Sequence, residues 1–443
     1  MEIRLSDRFS YGKLFRFAMP SVIMMLFSSI YGVVDGLFVS NFVGKTEFAA
    51  INLLMPVLMI AGALGFMIGA GGTAVVSKTL GEGESALANR YFSLFVYITV
   101  IVGTAISLIG VVFIRPLSIM LGAEGAMLDA CIRYGRIVLI ALPFFMLQNL
   151  FQSFMIVAER PKLGLAVTVC AGVANMVFDA TLILVIPLGL EGAALATSIS
   201  QVIGGVVPIV YFARKNTSQL SLTKTKFYAK ALLRATVNGS SELMSNISMS
   251  IVTIIYNFQL MRFAGEDGIA ANGIIMYVAF IFIAMFLGFS VGTAPIIGYH
   301  YGAQNTDELK SLLKKGTTVM VVSGTIMSLV SILFARPLSM IFAGYDPVLL
   351  DMTITGLRIH STSFVFASLG IFGSSYFTAL NNGLISAIIS FARTLVFQVG
   401  ALLLLPMFLD LTGVWLATPA SEVLSLILTV ILFIANRKKY KYF

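Results

Sequence analysis

The stretch GKTEFAAINLLMPV at residues 44–57 returns as GEDGIAANGIIMYV at residues 265–278, 221 positions later. RPLSIM at 115–120 is matched by RPLSMI at 336–341, and GAALAT at 192–197 by GVWLAT at 413–418. Three matches at one offset point to two structurally equivalent halves. In a membrane protein, halves of the same orientation imply a pseudo-two-fold axis along the membrane normal.

The surrounding sequence shows that this is a membrane protein. Of 443 residues, 58% are hydrophobic and 11% are charged, and the mean hydropathy is +0.96. Soluble domains run near about 25% charged. A spanning helix needs roughly 20 apolar residues. Apolar runs between charged or Pro/Gly breaks predict twelve such spans, with ends uncertain by several residues. In the first half they cover 14–40, 51–76, 91–114, 127–150, 163–186 and 190–211. In the second they cover 232–261, 269–297, 312–334, 348–376, 384–407 and 411–435. Alternating β-barrel strands are absent. The expected class is therefore an all-α membrane protein with twelve transmembrane helices in two pseudo-symmetric six-helix bundles. The bundles are expected at 1–215 and 232–443, joined by a basic, Ser/Thr-rich linker at 216–231.

The net charge of +9 reads as topology and not as nucleic-acid binding. With the N-terminus in the cytoplasm, inner segments carry Arg4, Arg8, Lys13, Arg16, Lys78, Arg90, Arg160 and Lys162. They also carry the linker lysines and the tail Arg437, Lys438, Lys439 and Lys441. Outer loops receive only Lys45, Arg115, Arg262 and Arg336. This positive-inside bias predicts a multi-pass protein with both termini cytoplasmic. The basic tail is suited to touch anionic lipid. Cys131 and Cys170 fall in apolar spans and read as small core residues, not as a disulfide or metal pair. The first span is too long for a cleavable signal.

Acids inside the spans are the exception. An ionised side chain at mid-membrane costs about 2.5–3.5 kcal/mol on insertion scales, so it marks a candidate site. Asp35, Asp179, Glu242 and Glu422 lie inside spans. The repeat sets Tyr256, Gly400, Ser21 and Gln201 opposite them, so none is duplicated. Counting depth at 1.5 Å per residue places Asp35, Asp179, Asn175, Tyr134 and Thr197 in one layer, roughly 8–18 Å below the outer surface. Carboxylate, amide and hydroxyl oxygens suit a hard cation such as Na⁺. Two neighbouring carboxylates in low dielectric can equally carry a proton. The alternative is that Asn175, Thr197 and Tyr134 merely bond helix to helix. In the second half, Glu242, Arg393 and Glu422 share mid-depth and form a candidate charge cluster, with Arg393 expected to neutralise one or both glutamates. That cluster also reads as a structural ion pair. Arg133, Arg136 and Arg358, near outer helix ends, are expected to snorkel outward. Pro20 should kink or loosen the first helix about four turns below Asp35. His300 and His360 are isolated, and neither a catalytic constellation nor a P-loop is present, so no enzyme and no cofactor is expected.

FAMPSVIMMLFSSIYGVVDGLFV from Phe17, NMVFDATLI from Asn175, EGAALATSISQ from Glu191 and ATPASE from Ala417, set in this twelve-span frame, resemble the multidrug and toxic compound extrusion (MATE) family. The MepA-like bacterial branch is the nearer likeness, and the resemblance covers essentially the whole chain. It implies a V-shaped pair of bundles around a central cavity. It also implies export of cationic or amphipathic compounds in exchange for H⁺ or Na⁺, by a protein of the cell membrane expected to be monomeric. The family's first-lobe cation site matches Asp35, Asn175, Asp179 and Thr197, with Tyr134 nearby, and its bend-associated proline matches Pro20. Glu242 matches an acid of the Na⁺-coupled branch. The tenth span has no acid beyond Asp351 at its outer end, so the second-lobe site of that branch is incomplete here. A lipid-linked oligosaccharide flippase of the same superfamily is the alternative reading. Such proteins need a cationic cavity, and the layer here is acidic.

Overall fold

The computed structural model describes residues 3–344 and 346–442. Among these there is no β-strand. The first half contains α1 (Tyr11–Phe42), α2 (Lys45–Gly81), α3 (Ser85–Met120), α4 (Gly125–Val157), α5 (Pro161–Asp179) and α6 (Leu190–Ala213). A π-helical turn, Ala180–Val185, continues α5. The second half contains α7 (Ala229–Gly302), α8 (Thr306–Leu333), α9 (Ala335–Ala343), α10 (Pro347–Ser361), α11 (Phe364–Ala379), α12 (Gly383–Phe391), α13 (Gln398–Leu404) and α14 (Pro406–Tyr440). A second π-helical turn, Ala392–Phe397, joins α12 to α13.

Ten helical stretches among the described residues are long and apolar enough to cross a membrane. One of them, α7, is two crossings, because Gly265 breaks it with φ 62° and ψ −149°. The tenth predicted span proves to be two short helices, α10 and α11, which meet at Thr362–Ser363 and together add one crossing. Twelve crossings result, six per half. The break at Thr362–Ser363 contains neither Pro nor Gly, so the sequence offered no punctuation there. Exposed apolar side chains such as Val112 (72% exposed), Phe258 (70%) and Leu333 (73%) form the lipid face.

The repeat survives as backbone geometry. Gly44 and Gly265, which open the matched stretches, both have positive φ, 126° and 62°. Each reverses the chain between the first two crossings of its half. Gly189 (φ 56°, ψ −122°) and Asp410 (φ 48°, ψ −133°) form another equivalent pair of turns, each leading into a last crossing. Side-chain caps start several helices. Ser10 accepts from the Lys13 amide, Asn305 from Glu308, and Asp346 from Val348 and Leu349 ahead of Pro347. The RPLS motif differs between halves. Arg115–Met120 ends α3 without a break, whereas Ala335–Ala343 is a separate short helix.

The halves meet at the end that carries the chain termini. Leu5, Phe9, Leu14, Phe17 and Val22 share an apolar cluster with Phe289, Phe372 and Tyr376 of the second half. The Phe9 amide donates to Glu308 Oε1 at 2.8 Å, and the Leu5 amide to Glu159 Oε1 at 2.6 Å, so the N-terminal segment laces one half to the other. Main chain meets main chain nearby. A Cβ on Gly71 would lie 1.8 Å from the Ala235 carbonyl oxygen, and one on Gly239 1.8 Å from that of Met67. A Cβ on Gly302 would lie 2.0 Å from the Lys78 carbonyl oxygen. Among the described residues, every hydrogen bond between the halves lies at this end. The linker lies along α3, where the amides of Ser221 and Thr223 donate to Asn89 and Ser93.

The core assignment of the cysteines is half corrected. Cys131 is buried, with its thiol 3.7 Å from the Ala50 carbonyl oxygen, but Cys170 is exposed on α5. An apolar run does not distinguish a face turned to lipid from one turned to the core. Arg133 does reach outward, to an ion pair with Glu191 at 2.7 Å.

Candidate cation site in the first bundle

Four helices of the first half supply the polar layer. Asp35 projects from α1, Tyr134 from α4, Asn175 and Asp179 from α5, and Thr197 from α6. Asn175 and Asp179 are one turn apart on the same face, and both are buried. The Asp35 carboxyl lies within side-chain hydrogen-bonding reach of Asp179 and Asn175. Tyr134 is buried close enough to feel both carboxylates. Asp35 Oδ1, Asn175 Oδ1 and both carboxyl oxygens of Asp179 are buried without a hydrogen-bond partner. Buried polar atoms are normally satisfied. Four buried acceptor oxygens without a partner of their own make this a candidate site for a shared proton or a small hard cation. No group of three or more His, Cys, Asp or Glu that could hold a metal ion occurs among the described residues, and the acids of this candidate site are two carboxylates.

Local structure explains the convergence. Asp179 is the last α-helical residue of α5, and the π-helical turn starts at Ala180. Such turns often sit at functional sites because they re-aim the adjacent side chains. Gly172, two turns earlier, lets α1 approach. A Cβ there would lie 2.5 Å from the Phe27 ring and 3.0 Å from the Tyr31 ring. Tyr31 and Gln148 belong to the site and carried no charge signal in the sequence. Tyr31 lies one turn before Asp35, near its carboxylate, and within side-chain hydrogen-bonding reach of Gln148 of α4. Gln148 in turn packs against Gly204 of α6, where a Cβ would lie 2.7 Å from its side chain. The i, i+4 spacing of Tyr31 and Asp35 was the one available clue.

Thr197 is half-buried on α6, and its carbonyl accepts from Ser200. The repeat equivalents in the other half are in contact. Tyr256 and Thr418 stand 221 residues after Asp35 and Thr197, and their hydroxyls are 2.6 Å apart. Gln398 donates to the same Thr418 hydroxyl at 3.3 Å. In the second half these positions thus form a neutral, satisfied contact.

The second-half charges divide. Arg393, on the π-helical turn after α12, places Nε 2.9 Å from both carboxylate oxygens of Glu422 on α14. Glu242, in the first crossing of α7, is half-buried and belongs to no ion pair among the described residues. Arg393 therefore neutralises one glutamate and not two. Pro20 is buried on α1, which runs through it unbroken, with its neighbours Ala18 and Val22 against Gly292 and Gly288 of α7. The structure places it in the contact between halves, far from the carboxylates. His300 bonds the Asp7 carbonyl at 3.2 Å, and His360 is buried; neither approaches a polar layer.

Comparison with known proteins agrees with this architecture. The MatE family model matches residues 20–181 and 243–402, once in each half. The multidrug export protein MepA of Staphylococcus haemolyticus is 25% identical over 368 residues, covering 81% of this chain and 80% of that protein. MepA of Staphylococcus aureus is 23% identical over 434 residues, covering 96% and 94%. Among solved structures, MATE in complex with MaL6 superposes with a TM-score of 0.93 at 23% identity, covering 98% of both chains. An outward-facing MATE family transporter of the MOP superfamily gives 0.92 at the same identity and coverage. Matched in both of its halves, the chain belongs to the MatE family, a family of membrane transporters and not of enzymes.

Proposed function

We propose that the protein is a multidrug exporter that moves organic cations and other amphipathic compounds across the cell membrane in exchange for H⁺ or Na⁺. The observation that carries this reading is the set of unpartnered buried oxygens on Asp35, Asn175 and Asp179. Thr197 and Tyr134 complete the coupling site. A proton or Na⁺ entering it neutralises carboxylates that otherwise repel one another, and so changes how α1 packs on α5. The named relatives are multidrug export proteins, which supports the substrate class.

The joined end is the basic one, so the positive-inside rule supports cytoplasmic termini, with the halves closed against each other on that side. Export then alternates closure at the two ends of the halves. The flippase reading is disfavoured. Its anionic substrate requires free cationic groups in the cavity, and Arg393 is already held by Glu422. Efflux of an ethidium-type dye from inverted vesicles, under a pH or a Na⁺ gradient applied separately, tests the proposal. Asp35→Asn and Asp179→Asn should each abolish gradient-driven efflux while the protein remains folded. Near-normal efflux in both variants would overturn the site assignment.

A further inference from the structure

A second polar cavity lies where the two halves join, at the terminus-bearing end. It has a volume of about 340 Å³ and draws its wall from both halves. Lys78 at the end of α2 comes from the first half. Lys230 and Arg234 at the start of α7, Tyr301 at its end, Asn381, and Lys439 near the end of α14 come from the second. Its charge balance is one-sided. Glu82, the only acid in the wall, is held by Lys78 at 3.3 Å. Lys230, Arg234 and Lys439 have no ion-pair partner among the described residues. Three exposed cations without an ion-pair partner among the described residues line one concavity, Lys439 lying 5.1 Å over the Tyr440 ring.

The uncharged wall is fixed. Lys78 Nζ sits 5.7 Å from the centre of the Tyr301 ring, and Tyr301 meets Tyr440 edge to face at 5.7 Å. Asn381, at φ 57°, donates to the Ala74 carbonyl of α2 at 2.8 Å and accepts from Asn238 of α7 at 2.8 Å. This residue ties the two halves together at the cavity wall. The cavity lies at the ends of the crossings, at headgroup depth, where Tyr and Lys contact phosphate and water.

We propose that this cavity binds a phosphate-bearing anion, which bridges Lys230, Arg234 and Lys439 across the joint between the halves. Lys and Arg bind phosphate oxygens through charge-assisted hydrogen bonds, and an anion focused by three uncompensated cations lowers their mutual repulsion. Because the wall comes from both halves, the anion holds them together at this end. The same phosphate chemistry is offered by an anionic lipid headgroup and by a soluble phosphate. The full-length protein should be reconstituted in phosphatidylcholine nanodiscs and titrated calorimetrically with inorganic pyrophosphate. In parallel, retention of phosphatidylglycerol should be read by native mass spectrometry. The comparison is between the wild type, Lys230→Gln/Arg234→Gln/Lys439→Gln, the milder Arg234→Gln alone, and Arg115→Gln/Arg336→Gln at the opposite end. Pyrophosphate binding weakened at least about tenfold in the triple variant, and less in Arg234→Gln, identifies a soluble anion. Loss of phosphatidylglycerol retention alone identifies a headgroup. If neither is bound by the wild type, or if the opposite-end variant loses as much, the proposal is wrong.

Discussion

Arg393 holds Glu422 through one nitrogen placed 2.9 Å from each carboxylate oxygen, while Asp35 and Asp179 lie within reach of each other and, among the described residues, pair with no cationic side chain. The two bundles share a backbone plan and treat buried charge in opposite ways. The repeat positions of Arg393 and Glu422 are occupied in the first half by Gly172 and Gln201. Those of Asp35 and Asp179 are occupied in the second by Tyr256 and Gly400. Each polar cluster is thus private to its half.

Breaking the ion pair from one side should be costly. Glu422→Gln leaves Arg393 buried and uncompensated, a change worth about 3–5 kcal/mol in comparable pairs. Replacing both together, as Arg393→Met with Glu422→Leu, should recover most of the loss. Thermal unfolding of the four corners of this cycle in detergent measures it. A double variant as unstable as Glu422→Gln would refute the account.

Tyr31→Phe should keep the protein folded and weaken the ion's grip. It removes a hydroxyl that lies near Asp35 and within hydrogen-bonding reach of Gln148. A lost hydrogen bond of about 1 kcal/mol corresponds to roughly a fivefold rise in the ion concentration giving half-maximal efflux. Maximal efflux at saturating ion should change little.

Asp410 occupies the turn that its counterpart fills with Gly189, at φ 48° and ψ −133°. Left-handed backbone costs a side-chain-bearing residue about 1–2 kcal/mol. Asp410→Gly should therefore stabilise the protein by about 1 kcal/mol, after the added chain entropy of glycine is subtracted. A higher unfolding temperature with unchanged efflux is the expected result.

The N-terminal segment should carry a mild pH dependence through Glu159. Burial pushes its carboxyl above the usual range, against the hydrogen bonds from the Leu5 amide and Gln219 that favour the ionised form. A carboxyl raised in the folded state stabilises fully below its unfolded value of 4.5 and loses that contribution as pH rises through the folded one. Glu159→Gln keeps an acceptor for Leu5 and removes the ionisation. Its unfolding temperature should match the wild type in acid and exceed it slightly at neutral pH. A gain that is equal at both pH values would argue against this origin.

Charge made the first-half site legible. Asp35 and Asp179 stood out because a carboxylate in an apolar span is expensive, and Asn175 followed by helical spacing. Tyr31 and Gln148 did not stand out, because Tyr and Gln enter apolar spans at little cost and their pairing across α1 and α4 is a tertiary event. The reversal at Gly265 was written in GEDG, and the repeat itself announced it. The π-helical turns at Ala180 and Ala392 leave no mark in periodicity, since each shifts the helix phase over only six residues. The exposure of Cys170 required knowing which face of α5 meets lipid. That Arg393 would select Glu422 and not Glu242 depended on how α14 packs beside the turn after α12.

The glycines of α2 and α7 at the joint have a mechanical consequence. Gly71, Gly239 and Gly302 bring bare main chain against main chain, so at these three points no side chain has to reorient when the seam parts or re-forms. At these contacts parting separates smooth surfaces, while the Asn381–Ala74 and Phe9–Glu308 hydrogen bonds beside them must also break. A seam of that kind offers a passing apolar or cationic compound few chemical handles. In the proposed export cycle, contacts of this kind would close with the same fit behind cargoes of differing structure.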